Sequence, residues 1–298
     1  MQKKLIKLGS YTNWLKLQYI PSHTISYLEF GNPTSTNVVI CAHGLTRNAY
    51  DFVKLATSLE DSFKVISISY PGRGDSDYFE NKKHYNYQVY IKDTLLFINK
   101  LGIKKPIWLG TSMGGIIGMV LASKYPKMLK GLILNDVGPF ISGTSLAKIG
   151  KYASQRPYFN NLNEAKQHLK MIYGQFGITN EDDWDHLTKF SFVLNAENKY
   201  QMSYDPSIIH GMGSSPFNVQ DVNLWAIWQK VLCPLLVIRG RNSEILQNTT
   251  VEKMKESRNF DFYEVEDAGH APALMAENQI NVVKSWLSNL AYSPIKSA

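Results

Sequence analysis

From the start of the chain to about residue 138, short apolar runs alternate with stretches whose apolar residues recur at helical spacing. Residues 14–20 and 25–30 predict an opening hairpin, and 37–42 (NVVICA) reads as a continuous apolar strand. A helix is expected over 49–59 and a second buried strand over 63–69 (FKVISIS), closed by the turn formers Pro71, Gly72 and Gly74. Between residues 87 and 101 the apolar positions Val89, Ile91, Leu95, Leu96, Ile98 and Leu101 fall close to one helical face, with Gly102 as the stop. A strand over 106–109, a helix over 113–124 and a strand over 129–134 continue the cadence.

Past Gly138-Pro139 the cadence breaks. About eighty residues rich in aromatic and polar side chains follow, without a clear buried strand, until 232–238 restores one. A helix over 249–257, a strand over 260–265, a loop carrying His270 and an amphipathic helix over 277–290 complete the chain. Repeated β-α-β units require a mostly parallel sheet with helices on both faces, an α/β fold. The interruption predicts an inserted helical cap. The expected organisation is therefore core (1–138), cap (139–222) and core (223–298), with no internal repeat or low-complexity tract.

Composition narrows the class. With 298 residues, 44% hydrophobic and 19% charged, the chain can bury a large core and gives no case for disorder. The net charge of +7 is spread along the chain in no group longer than pairs such as Lys82-Lys83, which reads as a solvated surface and not a nucleic-acid footprint. Cys41 and Cys233, the two cysteines, sit in or beside apolar strand-like runs, as buried free thiols of a reducing compartment would. Lysines interrupt residues 1–10, unlike a secretory leader, and no apolar run is long enough to span a membrane, so a cytoplasmic location is expected.

Candidate chemistry centres on Gly110-Thr111-Ser112-Met113-Gly114, a G-x-S-x-G elbow between a predicted strand and a predicted helix. A serine on so tight a turn needs small neighbours two residues away on each side. The amides at the start of the following helix point toward the place where negative charge would form. His43-Gly44 follows the 37–42 strand, so the backbone N–H groups of Leu45 and Met113 are the expected oxyanion donors, with His43 a structural support.

Serine needs a base. Among seven histidines, His270 lies in a loop after the last strand, in Asp267-Ala268-Gly269-His270-Ala271-Pro272, at the sheet edge where ligands bind. His84, His168, His186 and His210 fall in polar loops or the cap, where exposure is the default; His210 is a further candidate for lining the pocket, and His23 has no role. The carboxylate that orients His270 has two candidates. Ser243 stands where an aspartate is common, with Glu244 one residue on, whereas Asp136 ends the strand after the elbow helix and needs no register shift. Asp136 is preferred, with Glu244 the alternative.

Taken in order, strand-His43-Gly44, Tyr70-Pro71-Gly72-Arg73-Gly74-Asp75-Ser76, the Ser112 elbow and Asp267 to His270 resemble the α/β-hydrolase superfamily. The likeness covers residues 25–138 and 223–290 and is weakest across the cap. It implies acyl transfer, since members that open epoxides or remove halide carry a carboxylate at the elbow. Some amide and ester hydrolases of that superfamily carry their acid at the position of Asp136. Arg73-Gly74-Asp75 reads as a turn and not as an adhesion signal. No zinc-ligand spacing or phosphate-cradling loop occurs, so no cofactor or metal is expected. The expectation is a hydrolase of a small to medium, partly apolar ester, the cap aromatics (Tyr152, Tyr173 and Phe176 among them) lining its pocket. A carbon–carbon hydrolase, a lactonase or an acyltransferase uses the same residues, and a non-catalytic ligand-binding protein is the alternative from another class. The expected partner is a small-molecule substrate.

Overall fold

Eight strands hydrogen-bond in the order β1-β4-β6-β5-β7-β8-β14-β15 in the computed structural model, which describes residues 1–13, 18–212 and 220–292. The strands in chain order are β1 (Gln2–Leu8), β2 (Tyr11–Asn13), β3 (Gln18–Ile20), β4 (His23–Phe30), β5 (Val38–Ala42), β6 (Lys64–Ser69), β7 (Ile107–Thr111), β8 (Gly131–Asn135), β9 (Phe140–Ile141), β10 (Tyr158–Phe159), β11 (Phe192–Leu194), β12 (Tyr200–Met202), β13 (Val222–Asn223), β14 (Leu235–Gly240) and β15 (Asp261–Val265). The helices are α1 (Val53–Leu59), α2 (Tyr87–Lys100), α3 (Met113–Lys124), α4 (Gly143–Ala153), α5 (Leu162–Tyr173), α6 (Glu181–Ser191), α7 (Trp225–Trp228), α8 (Asn248–Ser257) and α9 (Glu277–Tyr292).

From β6 across to β15 every pairing is parallel, while β1 and β4 run antiparallel at one edge. β5, β7, β8 and β14 are buried along nearly their whole length, which is why β5 is apolar throughout and β8 is apolar up to Asn135. Two clusters cover the two faces: Trp108, Ile117 and Leu134 belong to one, and Val39, Leu109, Ile133 and Ile238 to the other. Crossovers of this hand and order bring the carboxyl ends of β5, β7, β8 and β14 to one rim.

The edge differs from the sequence expectation. Residues 25–29 pair with β1, Ile6 opposite Ile25, and not with residues 18–20. Ile6 and Leu8 are the buried residues of β1, with Lys7 exposed between them, as suits an edge strand with one wet face, and so short an alternation hides it from a search for continuous apolar runs. Residues 18–20 pair instead with β2; residues 14–17, the rest of that expected strand, lie outside the described residues.

Residues 139–222 also depart from a purely helical reading. Helices α4, α5 and α6 are joined by a small antiparallel sheet of order β10-β12-β11 and by the β9–β13 pair, all strands of two or three residues. Such strands are too short to show a period of two. One flank of this segment is tied to the loop after β5. Arg47 Nη1 donates to Ser191 Oγ (2.7 Å), Asn48 Nδ2 to the Phe190 carbonyl (2.7 Å), and Lys54 pairs with Asp183 (2.8 Å). His186 Nε2 lies 2.8 Å from the Tyr50 carbonyl, and the rings of Tyr50 and Phe190 stack at 3.8 Å.

His84, expected to be exposed, and His23, to which the sequence assigned no role, are both buried. His23 Nδ1 lies 2.9 Å from the Pro21 carbonyl, an acceptor only, so this nitrogen carries a proton. Its Nε2 lies 3.2 Å from Asp93 Oδ2, and Tyr11 donates to the other Asp93 oxygen at 2.7 Å. Burial opposes charge on His23, but the bond and the charge of Asp93, with the Pro21 carbonyl, outweigh it and raise the pKa above the ordinary value. A raised folded-state pKa contributes stability that is fully present below the unfolded value and is lost as pH rises through the folded one. His23→Gln is therefore expected to cost most at about pH 5.5 and progressively less toward about pH 8.5. Urea midpoints of both proteins across that range check this; a cost independent of pH would contradict it.

Candidate active site

Ser112 follows β7 directly and has φ 50° and ψ −110°, a strained backbone for a residue with a Cβ. The strain is enforced by neighbours that only glycine permits. A Cβ on Gly110 would lie 2.3 Å from the Gly114 carbonyl carbon, and one on Gly114 would lie 2.1 Å from the Ala42 carbonyl oxygen. The elbow thus presses α3 against β5 and leaves the serine at the rim. Trp108 Nε1 donates to the Gly114 carbonyl (2.9 Å), pinning the first turn of α3 from below.

Three strand ends then converge. Asp136, also at positive φ, directly follows β8, and its N–H donates to the Ile238 carbonyl of β14 (2.8 Å). Its carboxylate is completely buried and fully bonded: Oδ1 accepts from Gly240 N–H (2.9 Å), and Oδ2 accepts from Ser243 Oγ (2.5 Å) and from His270 Nδ1 (2.7 Å). With Nδ1–H donated to Asp136, the lone pair of His270 is on Nε2. Ser243, at the position where an aspartate is common, instead supplies a hydroxyl to Asp136. Glu244 points elsewhere. Its exposed carboxylate pairs with Lys148 (2.5 Å), and the structure does not bring it to the His270 ring.

Sequence reasoning passed over Asn135. Its Nδ2 donates to Thr111 Oγ1 (3.0 Å) and to the Pro272 carbonyl (2.9 Å), while its own carbonyl accepts from Ser112 N–H (3.0 Å). One side chain therefore ties the elbow to the His270 loop. A polar residue closing an apolar strand immediately before Asp136 was the available signal.

His43 is buried, and its Nε2 accepts from Tyr70 N–H (3.0 Å), so the ring proton is on Nδ1 and is donated to the Gly44 carbonyl (2.6 Å). Burial, reinforced by Arg73 and then Arg47, pushes its pKa down to about 3. Both nitrogens are committed and the ring stays neutral, as a support for the Gly44-Leu45 turn requires. A Cβ on Gly44 would come within 3.8 Å of the Ser112 Cβ, so this turn runs beside the serine. The Leu45 carbonyl accepts from Arg73 Nε (2.8 Å). Met113 opens α3, so its N–H belongs to the first turn, which has no intrahelical acceptor.

Two cavities meet at Ser112. One, about 50 Å³, is lined by Ser112, His270, Thr111 and Leu45, with Thr46, Arg47, Asp51 and Tyr173 as polar wall and Tyr152 and Phe176 as aromatic wall. Arg47 there is bonded to Asp51 (Nη2–Oδ1 2.6 Å), and Thr46 Oγ1 lies 2.7 Å from the Tyr173 hydroxyl. The other, about 280 Å³, is apolar and runs along α3 past Met113, Ile116 and Val120, closed by Ile141, Leu146, Leu224 and Ile245. A third, about 260 Å³, reaches His270 between Lys148, Gln175 and Glu244. The side chain of His210 lies outside the described residues. Cys41 and Cys233 are buried and unpaired. Among the described residues no group of three His, Cys, Asp or Glu side chains is arranged to hold a metal ion, and no helix is long and apolar enough to cross a membrane.

The profile of the alpha/beta hydrolase fold family matches residues 37–275, and the chain belongs to that family. A relative from Cupriavidus necator, named 3-hydroxybutyrate-oligomer hydrolase, is 31% identical over 89% of this chain and 93% of its own length. A provisionally assigned hydrolase from Rickettsia typhi has a crystal structure with a TM-score of 0.93, 54% identity, and coverage of 97% of this chain and 99% of that one. The structure of an alpha/beta hydrolase from Novosphingobium aromaticivorans superposes with a TM-score of 0.83 at 28% identity, covering 96% of this chain and 98% of that chain. Family and relatives make this chain a hydrolase.

Proposed function

We propose that the chain is a serine ester hydrolase in which Ser112 is the nucleophile, His270 the base and Asp136 the acid, acting on a short, partly apolar hydroxyacyl ester. The observation that carries this reading is the 2.7 Å bond from His270 Nδ1 to the buried Asp136, with His270 and Ser112 lining one cavity. Nε2 takes the Ser112 hydroxyl proton as Oγ attacks the ester carbon, and the new oxyanion lies against the N–H groups of Leu45 and Met113. The protonated imidazole, steadied by Asp136, gives its proton to the departing alkoxide, which leaves an acyl-serine. Water then repeats the sequence, with its proton taken by Nε2 and the acid released as Ser112 is restored.

The two cavities at Ser112 suggest how the substrate lies. Met113, Ile116 and Val120 span eight residues of α3, a rise of about 10 Å along the helix, which is room for a short to medium acyl chain. The wall of Thr46, Arg47, Asp51 and Tyr173 suits a leaving group that carries further oxygen atoms. The name of the Cupriavidus necator relative supports a hydroxyacid ester, whose units offer an apolar flank and regularly spaced oxygens. Residues 139–222 act in this reading as a cap, contributing Leu146 and Ile149 of α4 and Tyr173 of α5 to the cavities.

Treatment with a fluorophosphonate is expected to add one label, on Ser112, and to stop hydrolysis of p-nitrophenyl butyrate and of a 3-hydroxybutyrate dimer in parallel. Absence of label on Ser112, with hydrolysis persisting, would end this reading. Labelling with activity on p-nitrophenyl butyrate but none on the dimer would remove the hydroxyacyl assignment alone.

A further inference from the structure

Three arginines are buried, and two of them are neutralised: Arg47 by Asp51 and Arg239 by Glu264. Arg73 is not. It is completely buried in the turn after β6, and although every Asp and Glu of the chain is among the described residues, none pairs with it. Asp75 of the same turn accepts from Tyr50 and pairs with Lys3, Asp205 bonds Lys82 and Tyr85, and Asp93 bonds Tyr11 and lies against His23.

Neutral groups hold the guanidinium. Nε donates to the Leu45 carbonyl (2.8 Å), Nη1 to the Pro71 carbonyl (2.8 Å) and the Tyr90 hydroxyl (2.7 Å), and Nη2 lies 3.5 Å from Met113 Sδ. The rings of Tyr90 and Tyr85 face it at 5.0 and 6.0 Å. A neutral donor could serve these acceptors without the heavy penalty of burying a charge that has no counter-ion. What a neutral donor cannot supply is a permanent positive field, and in a dry interior that field falls off slowly.

The two residues that Arg73 touches on the cavity side, Leu45 and Met113, are the two assigned above as donors to the substrate oxygen. No Asp or Glu carboxylate is bonded to Arg73 at rest, and His43 beside it is held neutral. The negative charge missing at rest is the one that forms on that oxygen during the reaction.

We propose that Arg73 is a positioning residue for hydrolysis: its unneutralised guanidinium fixes the Leu45 turn and, acting through Leu45 and Met113, favours the anionic tetrahedral state over the neutral substrate. This rests on the Ser112 reading of the preceding section. It predicts a separation between charged and neutral ligands that a purely architectural arginine would not produce.

The test compares Arg73→Gln and Arg73→Lys with the native chain, using p-nitrophenyl butyrate as substrate and two inhibitors. Butylboronic acid forms a bond from boron to Ser112 Oγ, with the serine proton passing to His270, so its adduct is tetrahedral and anionic. Butyramide stays neutral. For Arg73→Gln we expect kcat to fall by about tenfold or more with KM nearly unchanged, and the boronate inhibition constant to rise by a similar factor while that of butyramide holds. Arg73→Lys, which keeps the charge and loses the fork, is expected to keep most of the boronate affinity. Equal loss of both inhibitors in a folded Arg73→Gln protein, or loss of neither, would overturn the proposal. Where near-ultraviolet dichroism shows that Arg73→Gln has not folded, Arg73→Lys decides: retained boronate affinity supports the role of charge, and its loss refutes it. A native chain that neither cleaves the ester nor takes the phosphonate would instead refute the Ser112 reading, and Arg73's part with it.

Discussion

Asp136→Asn is expected to lower turnover by about four orders of magnitude with little change in KM or in the folded state. The amide keeps the shape of the carboxylate: with its nitrogen at the place of Oδ2, Gly240 N–H still meets an oxygen, and Ser243 Oγ turns to accept from the amide. It cannot accept the Nδ1 proton of His270 while its nitrogen faces the ring, and it cannot offset the charge of the imidazolium that forms when Ser112 loses its proton. The lost stabilisation falls on the transition state and scarcely on bound substrate, which is why kcat carries the effect. Glu244→Ala is the matched control. Its carboxylate is exposed and paired with Lys148, an interaction that salt screens, so activity is expected to stay close to native. Steady-state kinetics of both variants on one ester decide the matter; a large loss in Glu244→Ala beside a mild one in Asp136→Asn would reverse the assignment.

The second large effect concerns folding. Gly114→Ala adds a single methyl group, yet its carbon would sit 2.1 Å from the Ala42 carbonyl oxygen and 2.6 Å from the carbonyl carbon. These atoms belong to a central strand hydrogen-bonded on both sides, so neither can swing away as a side-chain tip would. Relief requires α3 to lift from β5, which loosens the elbow and the apolar contacts beneath it together. A loss of about 4 kcal/mol or more is expected, read as a fall in the urea midpoint, or as failure to accumulate folded protein. Gly9→Ala, where an added methyl group meets nothing within 4 Å, is expected to be neutral. A Gly114→Ala protein of native stability would show that the close approach is not what holds the elbow.

What the sequence revealed, it revealed through local rules. The β-α cadence is written in runs of five or six apolar residues, and β5, β6, β7, β8 and β14 were legible from them. The elbow was legible because strained backbone demands glycine at fixed offsets. Interactions between distant residues were not. Asp93 is seventy residues from His23, and nothing in either neighbourhood announces that they meet in the interior. Ser243 looked like a missing acid, when it is a hydroxyl donor to the acid on the neighbouring strand. Arg73 read as a turn residue because its neighbours are glycines; what covers it includes the rings of Tyr85 and Tyr90, farther along the chain. The strands of residues 139–222 escaped notice because two residues cannot display a pattern.

The ties between the loop after β5 and α6 have a kinetic implication. Arg47, Asn48, Tyr50 and Lys54 fasten that flank by hydrogen bonds, stacking and an ion pair, and the same loop carries Leu45. Breathing on that side would disturb the oxyanion turn, so traffic of reactant and product there would carry a penalty in turnover. The opposite approach to His270 is bordered by Lys148 and Glu244, an exposed pair of opposite charges, with Ser145 Oγ donating to the Glu244 carbonyl (2.9 Å) and Gly269 N–H to the Gln175 carbonyl (2.7 Å) beside it. Dissolved salt screens the charged pair but leaves those two neutral bonds in place, so α4 and Gln175 stay fastened to the rim around His270.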